Sequence, residues 1–217
     1  MNREAQLRRV LDGGIVAVVR SPDSQQLVEV CRALADGGVT TCEITMTVPD
    51  ALDVVRRVRS DLGDGVLLGA GTILDPETAR AALLAGAEYV VAPTLNLEVI
   101  RLCHRYDKLV MPGAFTPTEI LTAWEAGADV VKVFPADVVG PAFFKALRAP
   151  LPQIRLMPTG GVDLTTAAAF LKAGACCLGV GGQLVDPKAV AAADFGRIRE
   201  LARQYVAIVR EARASVG

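Results

Sequence analysis

Short apolar runs rich in Val, Ile and Leu alternate along this chain with amphipathic stretches of helical period. The runs predict strands over Ile15–Arg20, Thr40–Thr45, Val66–Ala70, Tyr89–Ala92, Leu109–Met111, Asp129–Phe134, Ile154–Met157 and Ala175–Val180. Most are nearly continuous in apolar residues, the mark of parallel strands covered on both faces. Helix-like segments follow each one. Asp75-Pro76-Glu77, Thr116-Pro117-Thr118-Glu119 and Asp186-Pro187 open three helices with an N-cap candidate and a proline at the first helical position. Asp36-Gly37-Gly38-Val39, Ala85-Gly86-Ala87, Ala126-Gly127-Ala128 and Ala173-Gly174-Ala175 end four helices and lead at once into strands. The last three glycines lie 41 and 47 residues apart, and each interval holds two strand–helix units. A short leading segment, Asn2–Asp12, sets Leu7, Val10 and Leu11 on one face and could plug one end of a barrel.

Eight such units predict a (β/α)8 TIM barrel with a short N-terminal helix. A doubly wound open sheet is the runner-up, but the chain has no G-x-G-x-x-G turn. No linker or low-complexity tract divides it, so residues 1–217 read as a single barrel domain.

Composition removes several functions. The formal charge of −1 and pI near 5.9 give no basic field for nucleic acid. No apolar run approaches the ~18 residues of a membrane span. Met1-Asn2-Arg3-Glu4 lacks the apolar stretch of a signal peptide, which points to the cytoplasm. The five cysteines (Cys31, Cys42, Cys103, Cys176, Cys177) form no C-x-x-C pair and read as small core hydrophobes. One histidine, His104, cannot build a His-rich zinc site. On its charged stretch it is expected at the surface. No metal and no cofactor is anticipated.

Chemistry in a parallel barrel belongs at the carboxyl ends of the strands, and the polar residues fall there. The chain has only five lysines, and Lys132 sits inside Asp129-Val130-Val131-Lys132-Val133-Phe134-Pro135. Burial there would favour the neutral amine, the nucleophile of Schiff-base chemistry. The plain alternative is an edge-strand lysine whose head reaches water. Side chains alternate along a strand, so Thr41, Glu43 and Thr45 share one face, and Val130, Lys132 and Phe134 another. If both faces point inward, an amine and a carboxyl meet in the barrel mouth. That could equally be a buried ion pair. Arg20, Gly71-Thr72, Pro93-Thr94 and Pro112-Gly113 end other strands. Thr159-Gly160-Gly161 and Gly179-Val180-Gly181-Gly182 follow strands seven and eight, where this fold holds phosphate on backbone amides. Simple tight turns are the alternative.

Five motifs in register carry a resemblance. They are Ile15-Val16-Ala17-Val18-Val19-Arg20, Glu43-Ile44-Thr45-Met46-Thr47-Val48-Pro49-Asp50, Gly69-Ala70-Gly71-Thr72, Val131-Lys132-Val133-Phe134-Pro135 and Pro158-Thr159-Gly160-Gly161-Val162. Together they resemble the 2-keto-3-deoxy-6-phosphogluconate (KDPG) and 4-hydroxy-2-oxoglutarate (KHG) aldolase family, class I pyruvate aldolases. The resemblance implies a homotrimer of (β/α)8 barrels that uses a lysine Schiff base and no metal. It makes Lys132 the Schiff-base lysine and Glu43 the acid/base. It sets Arg20 and Thr72 on the pyruvyl carboxylate, Pro93 and Phe134 beside the substrate, and Thr159, Gly160, Gly161, Gly181 and Gly182 around the phosphate. The substrate it implies is a small phosphorylated 2-keto acid. Two positions depart from the best-studied branch: Thr47 stands where an arginine follows the acid/base, and Gly182 where a phosphate-loop serine lies. An aldolase for the galactonate epimer or for 4-hydroxy-2-oxoglutarate stays open. So does a phosphosugar isomerase or epimerase, which needs the phosphate loops but no amine nucleophile. A non-catalytic ligand-binding barrel is the third reading.

Overall fold

The computed structural model describes residues 1–214. Nine parallel strand segments and ten α-helices alternate along them. The strands are β1 (Ile15–Val19), β2 (Thr41–Thr45), β3 (Leu67–Gly71), β4 (Tyr89–Val91), β5 (Leu109–Met111), β6 (Gly113–Ala114), β7 (Val131–Val133), β8 (Leu156–Pro158) and β9 (Leu178–Val180). The first seven helices are α1 (Arg3–Gly13), α2 (Leu27–Asp36), α3 (Ala51–Leu62), α4 (Pro76–Ala85), α5 (Leu97–Arg105), α6 (Pro117–Glu125) and α7 (Ala136–Arg148). Three more, α8 (Ala167–Lys172), α9 (Pro187–Ala191) and α10 (Phe195–Ala214), complete the ring.

Six segments pair in the order β5-β4-β3-β2-β1-β9, and three in the order β6-β7-β8. Two junctions close these into a barrel. Between β8 and β9, Thr159 bridges Gly179 and the Cys176 N–H donates to the Leu156 carbonyl at 2.9 Å. Between β5 and β6 lies Pro112, which has no N–H to give the ladder. Its carbonyl still accepts from the Lys132 N–H at 2.9 Å, so β5 and β6 are two pieces of one barrel strand. Eight barrel strands result, as the sequence predicts.

Alternation along each strand sorts the core into two. Val16, Leu67, Tyr89, Val91, Leu109, Met111, Val130, Met157 and Cys177 form a cluster inside the ring. Their neighbours Ala17, Leu68, Val90, Val110, Val131, Leu156 and Leu178 face the helices in a larger cluster. Each fully buried Val or Leu contributes about 1.5–3 kcal/mol. The predicted caps form: Asp75 accepts from the Thr78 N–H, Thr116 and Glu119 make a capping box, and Asp186 accepts from the Lys188 N–H. Gly86, Gly127 and Gly174 adopt φ of 114°, 95° and 99°, which only glycine tolerates cheaply.

Some expectations need correction. Helix α1 does plug the ring, but through Val10, Leu7 and a buried Gln6, not Leu11. The Gln6 side chain accepts from the Leu109 N–H at 3.0 Å, which ties the plug to β5. His104 is half-buried, not a surface residue; its Cε1 would lie 2.6 Å from a Cβ on Gly127. Several strands are shorter than predicted: Arg20 lies beyond β1, and Asp129, Val130 and Phe134 lie outside β7. Asp129 still donates its N–H to the Val110 carbonyl at 3.1 Å, but its carboxyl takes the Val110 N–H in place of a backbone carbonyl and pairs with Arg3 at 2.7 Å.

Candidate active site

Lys132 lies on β7 level with Gly113 of β6 and Met157 of β8. It is only 6% exposed, with Val131 and Val133 turned to the helices. Its Nζ sits 5.3 Å from the centre of the Phe134 ring. Burial pushes the amine pKa down; the Glu43 carboxylate opposes this and the Arg20 guanidinium adds to it. The edge-strand reading therefore fails, because β7 is paired on both sides.

Glu43 projects inward from β2 with Thr41 and Thr45. It is 1% exposed, and neither carboxyl oxygen has a hydrogen-bond partner. Burial raises its pKa, while Lys132 and Arg20 oppose. None of the ion pairs among the described residues joins Glu43 to Lys132. The buried ion pair that the sequence left open is thus not formed, and both groups are biased toward their neutral forms. Room for Glu43 comes from Gly71: a Cβ there would lie 2.5 Å from Glu43 Oε1.

Beside these groups opens a cavity of about 410 Å³. Its wall includes Arg20, Phe134, Thr159, Gly160, Gly161, Gly181 and Gly182, seven of the eleven residues singled out from sequence. Val18, Val162, Gly179, Gln183, Val185 and Pro187 complete the lining. Glu43, Lys132, Thr72 and Pro93 are not on that wall. Lys132 precedes Phe134 by two residues on the inner face, one step deeper in the barrel. Thr72 adopts φ 61°, an uncommon conformation for a β-branched residue, directly after β3. The carbonyl of Pro93 packs so closely over β6 that a Cβ on Gly113 would meet it at 2.2 Å.

Gly160 and Gly161 have φ of 90° and 68°, turning the loop after β8 onto the start of α7. A Cβ on Gly161 would meet Asp137 Cβ at 2.4 Å. After β9, the Leu184 and Val185 N–H groups turn back to the Gly181 carbonyl, each at 2.9 Å. Thr47 is exposed and hydrogen-bonded through its hydroxyl to Thr45 at 2.8 Å. Sequence reasoning missed Gln183, although it directly follows the Gly181-Gly182 pair, and it missed the spatial role of Gly71. Among the described residues, no group of three or more His, Cys, Asp and Glu is placed to hold a metal, and no helix is long and apolar enough to cross a membrane.

A parallel barrel with an amine and a carboxyl facing its interior, and a glycine-lined cavity at its carboxyl end, is the architecture of a (β/α)8-barrel enzyme. Comparison with known proteins narrows the class. A family model described as KDPG and KHG aldolase matches residues 7–201. The chain is 37% identical over 193 residues to the 2-dehydro-3-deoxy-phosphogluconate aldolase of Pseudomonas aeruginosa, covering 88% of this chain and 86% of that one. It is 35% identical over 188 residues to the 2-dehydro-3-deoxy-6-phosphogalactonate aldolase of Escherichia coli, covering 83% and 92%. A solved structure of native KDPGal superposes with a TM-score of 0.86 at 33% identity, over 92% of this chain and 96% of the other. The chain belongs to the KDPG and KHG aldolase family. It is an aldolase, a carbon–carbon lyase.

Proposed function

We propose that this barrel cleaves 2-dehydro-3-deoxy-6-phosphogluconate to pyruvate and glyceraldehyde 3-phosphate through a Schiff base on Lys132. The observation that carries the reading is the burial of Lys132, which favours the nucleophilic amine one step below a cavity lined by glycine loops. Lys132 Nζ attacks the C2 ketone, and the carbinolamine loses water with a proton from neutral Glu43, which leaves a protonated imine beside the Glu43 carboxylate. Glu43 takes the C4 hydroxyl proton, the C3–C4 bond breaks, and its electron pair flows into the imine to give an enamine. Glyceraldehyde 3-phosphate departs. Glu43 then protonates C3, and water releases pyruvate and regenerates the amine. The order suits the electrostatics. Before the substrate binds, burial holds Glu43 toward its neutral form. The iminium is a fixed positive charge in the barrel mouth, and it favours the carboxylate when a base is needed.

Arg20 and Thr72 hold the pyruvyl carboxylate in this reading, with Pro93 and Phe134 packing on the carbon chain. Thr159 and the amides around Gly160, Gly161, Gly181 and Gly182 receive the phosphate. The epimer 2-dehydro-3-deoxy-6-phosphogalactonate is a second reading, favoured by relatives of both names at similar identity. The same proposal makes the protein a cytoplasmic homotrimer of single-domain barrels that works without metal or organic cofactor. Sedimentation equilibrium tests the trimer. Treatment with pyruvate and borohydride tests the chemistry: a stable pyruvyl mass should appear on Lys132, with loss of activity. Labelling at Lys145 or Lys172, or no labelling, would overturn the assignment. Side-by-side pyruvate release from the gluconate and galactonate substrates separates the two epimers.

A further inference from the structure

The inner face of the barrel carries polar groups that this mechanism leaves unexplained. The Tyr89 hydroxyl, the Thr41 hydroxyl and both Glu43 carboxyl oxygens are enclosed by protein, and none bonds to another protein atom. Buried polar groups nearly always find a partner, so three such groups together call for one. Their placement brings them to the same spot. The ladder sets Glu43, Gly69 and Tyr89 level across β2, β3 and β4. A Cβ on Gly69 would lie 2.3 Å from Tyr89 Cζ and 2.4 and 2.6 Å from the two Cε atoms. The far end of the ring, not its root, therefore lies across β3, and the hydroxyl is carried toward β2. Thr41 and Glu43 are the inward residues there. The Glu43 carboxyl lies over Gly71, one inward step along β3 from Gly69.

We propose that Tyr89 is a positioning residue for the acid/base: its hydroxyl donates to the Glu43 carboxylate through a buried water shared with Thr41. This rests on the aldolase reading above. Three polar groups supply the two to four partners that a buried water needs. Tyr89 can act only as a donor to the carboxylate, because burial, and then the Glu43 charge, push its own pKa well up. The carboxylate thereby gains a fixed donor on the side away from the substrate, which orients it and favours its ionised form. The other groups that face Glu43 are Lys132 from β7 and Arg20 from the end of β1. Cys177, just before β9, faces Tyr89, while Cys42 and Cys31 lie behind β2.

The test uses Tyr89→Phe and Thr41→Val in the full chain, with exchange of pyruvate methyl protons in D2O followed against pH. Tyr89→Phe should move the acid limb of kcat upward by about one pH unit, since one donor to a carboxylate is lost. Thr41→Val should move it the same way by less. KM for pyruvate should stay within about twofold, and borohydride should still trap pyruvate on Lys132. A Tyr89→Phe limb that superimposes on the parent, or an effect confined to KM, overturns the proposal. Should Tyr89→Phe not fold, an unmoved limb in Thr41→Val overturns it equally. Failure to trap pyruvate in the parent protein would instead remove the aldolase reading on which the proposal stands.

Discussion

Gly71→Ala tests the site through geometry that no polar substitution touches. The new Cβ would lie 2.5 Å from Glu43 Oε1, 2.8 Å from Cδ and 3.3 Å from Cγ. Ordinary contact for these atoms is about 3.5 Å, so the carboxyl must withdraw by roughly 1 Å. Gly71 does not sit at positive φ, so the backbone accepts alanine without strain. Crowding a packed interior costs about 1–3 kcal/mol. The loss of glycine freedom in the unfolded chain returns about 0.4–1 kcal/mol. Net destabilisation should be no more than about 2.6 kcal/mol, a fall in Tm of at most about 5–10 °C for a chain of this size. The chemical effect should be larger, since a displacement of about 1 Å at a reacting group can cost about 10²-fold. We therefore expect pyruvate methyl exchange to slow about 10²-fold while borohydride trapping on Lys132 persists. Gly69→Ala is the contrast: its Cβ meets the Tyr89 ring at 2.3 Å, and a ring cannot retract as a carboxyl can. That variant should lose more stability. If Gly71→Ala folds and exchanges protons within twofold of the parent, the position of the Glu43 carboxyl does not govern proton transfer.

Glu43→Gln should slow both cleavage and methyl exchange by about 10²–10⁴-fold, yet still form the imine; unchanged exchange would make Glu43 a structural neighbour of Lys132. The same variant should alter stability with a definite sign. Because burial raises the folded pKa of Glu43, the folded state holds its proton more tightly than the unfolded chain, where the value is near 4.5. The parent should thus lose stability relative to Glu43→Gln as pH rises through that window, and parallel Tm curves between pH 4 and 8 would refute this. Gly182→Ser has room, since a Cβ there meets only Pro187 Cδ at 3.8 Å. It should lower KM for phosphorylated substrate about tenfold through one added hydrogen bond to an anion and leave pyruvate exchange unchanged. An unchanged ratio of KM values for the phosphorylated and unphosphorylated forms would remove this loop from the phosphate site.

The barrel was legible because most strand centres are Val-, Ile- or Leu-rich runs and most helices are punctuated by a cap or a glycine. Period-two alternation also grouped Glu43 with Thr41 and Thr45, and Lys132 with Val130 and Phe134, but left open whether those faces point inward. What could not be read is anything set by stagger between strands. That Tyr89 lies level with Gly69 and Glu43, or that Gly71 makes the space for a carboxyl, depends on the register of three strands. Their own patterns do not carry that register. Strand ends failed for a related reason: Asp129 looks like part of an apolar run, but its side chain captures a backbone N–H that the ladder would otherwise use. Gln183 was missed because its neighbours Gly181 and Gly182 already explained the turn.

The absence of an ion pair between Glu43 and Lys132 matters more than their proximity. A paired carboxylate and ammonium would satisfy each other and hold the lysine charged, which is the wrong form for attack on a ketone. Burial acts on the two groups in opposite directions of pKa but toward the same neutral state. A neutral acid beside a neutral amine is equivalent in protons to the ion pair, so a small change of environment suffices to redistribute the proton between them. Imine formation is such a change: the neutral carbinolamine needs a proton to lose water, and the neutral carboxyl can supply it, leaving an iminium beside a carboxylate. In the proposed mechanism the barrel keeps the two groups close enough for the iminium to stabilise the Glu43 carboxylate, yet without a direct ion pair to the free amine. On β3 the glycine at position 71 admits the carboxyl, and the Tyr89 donor proposed above orients it from the side away from the substrate.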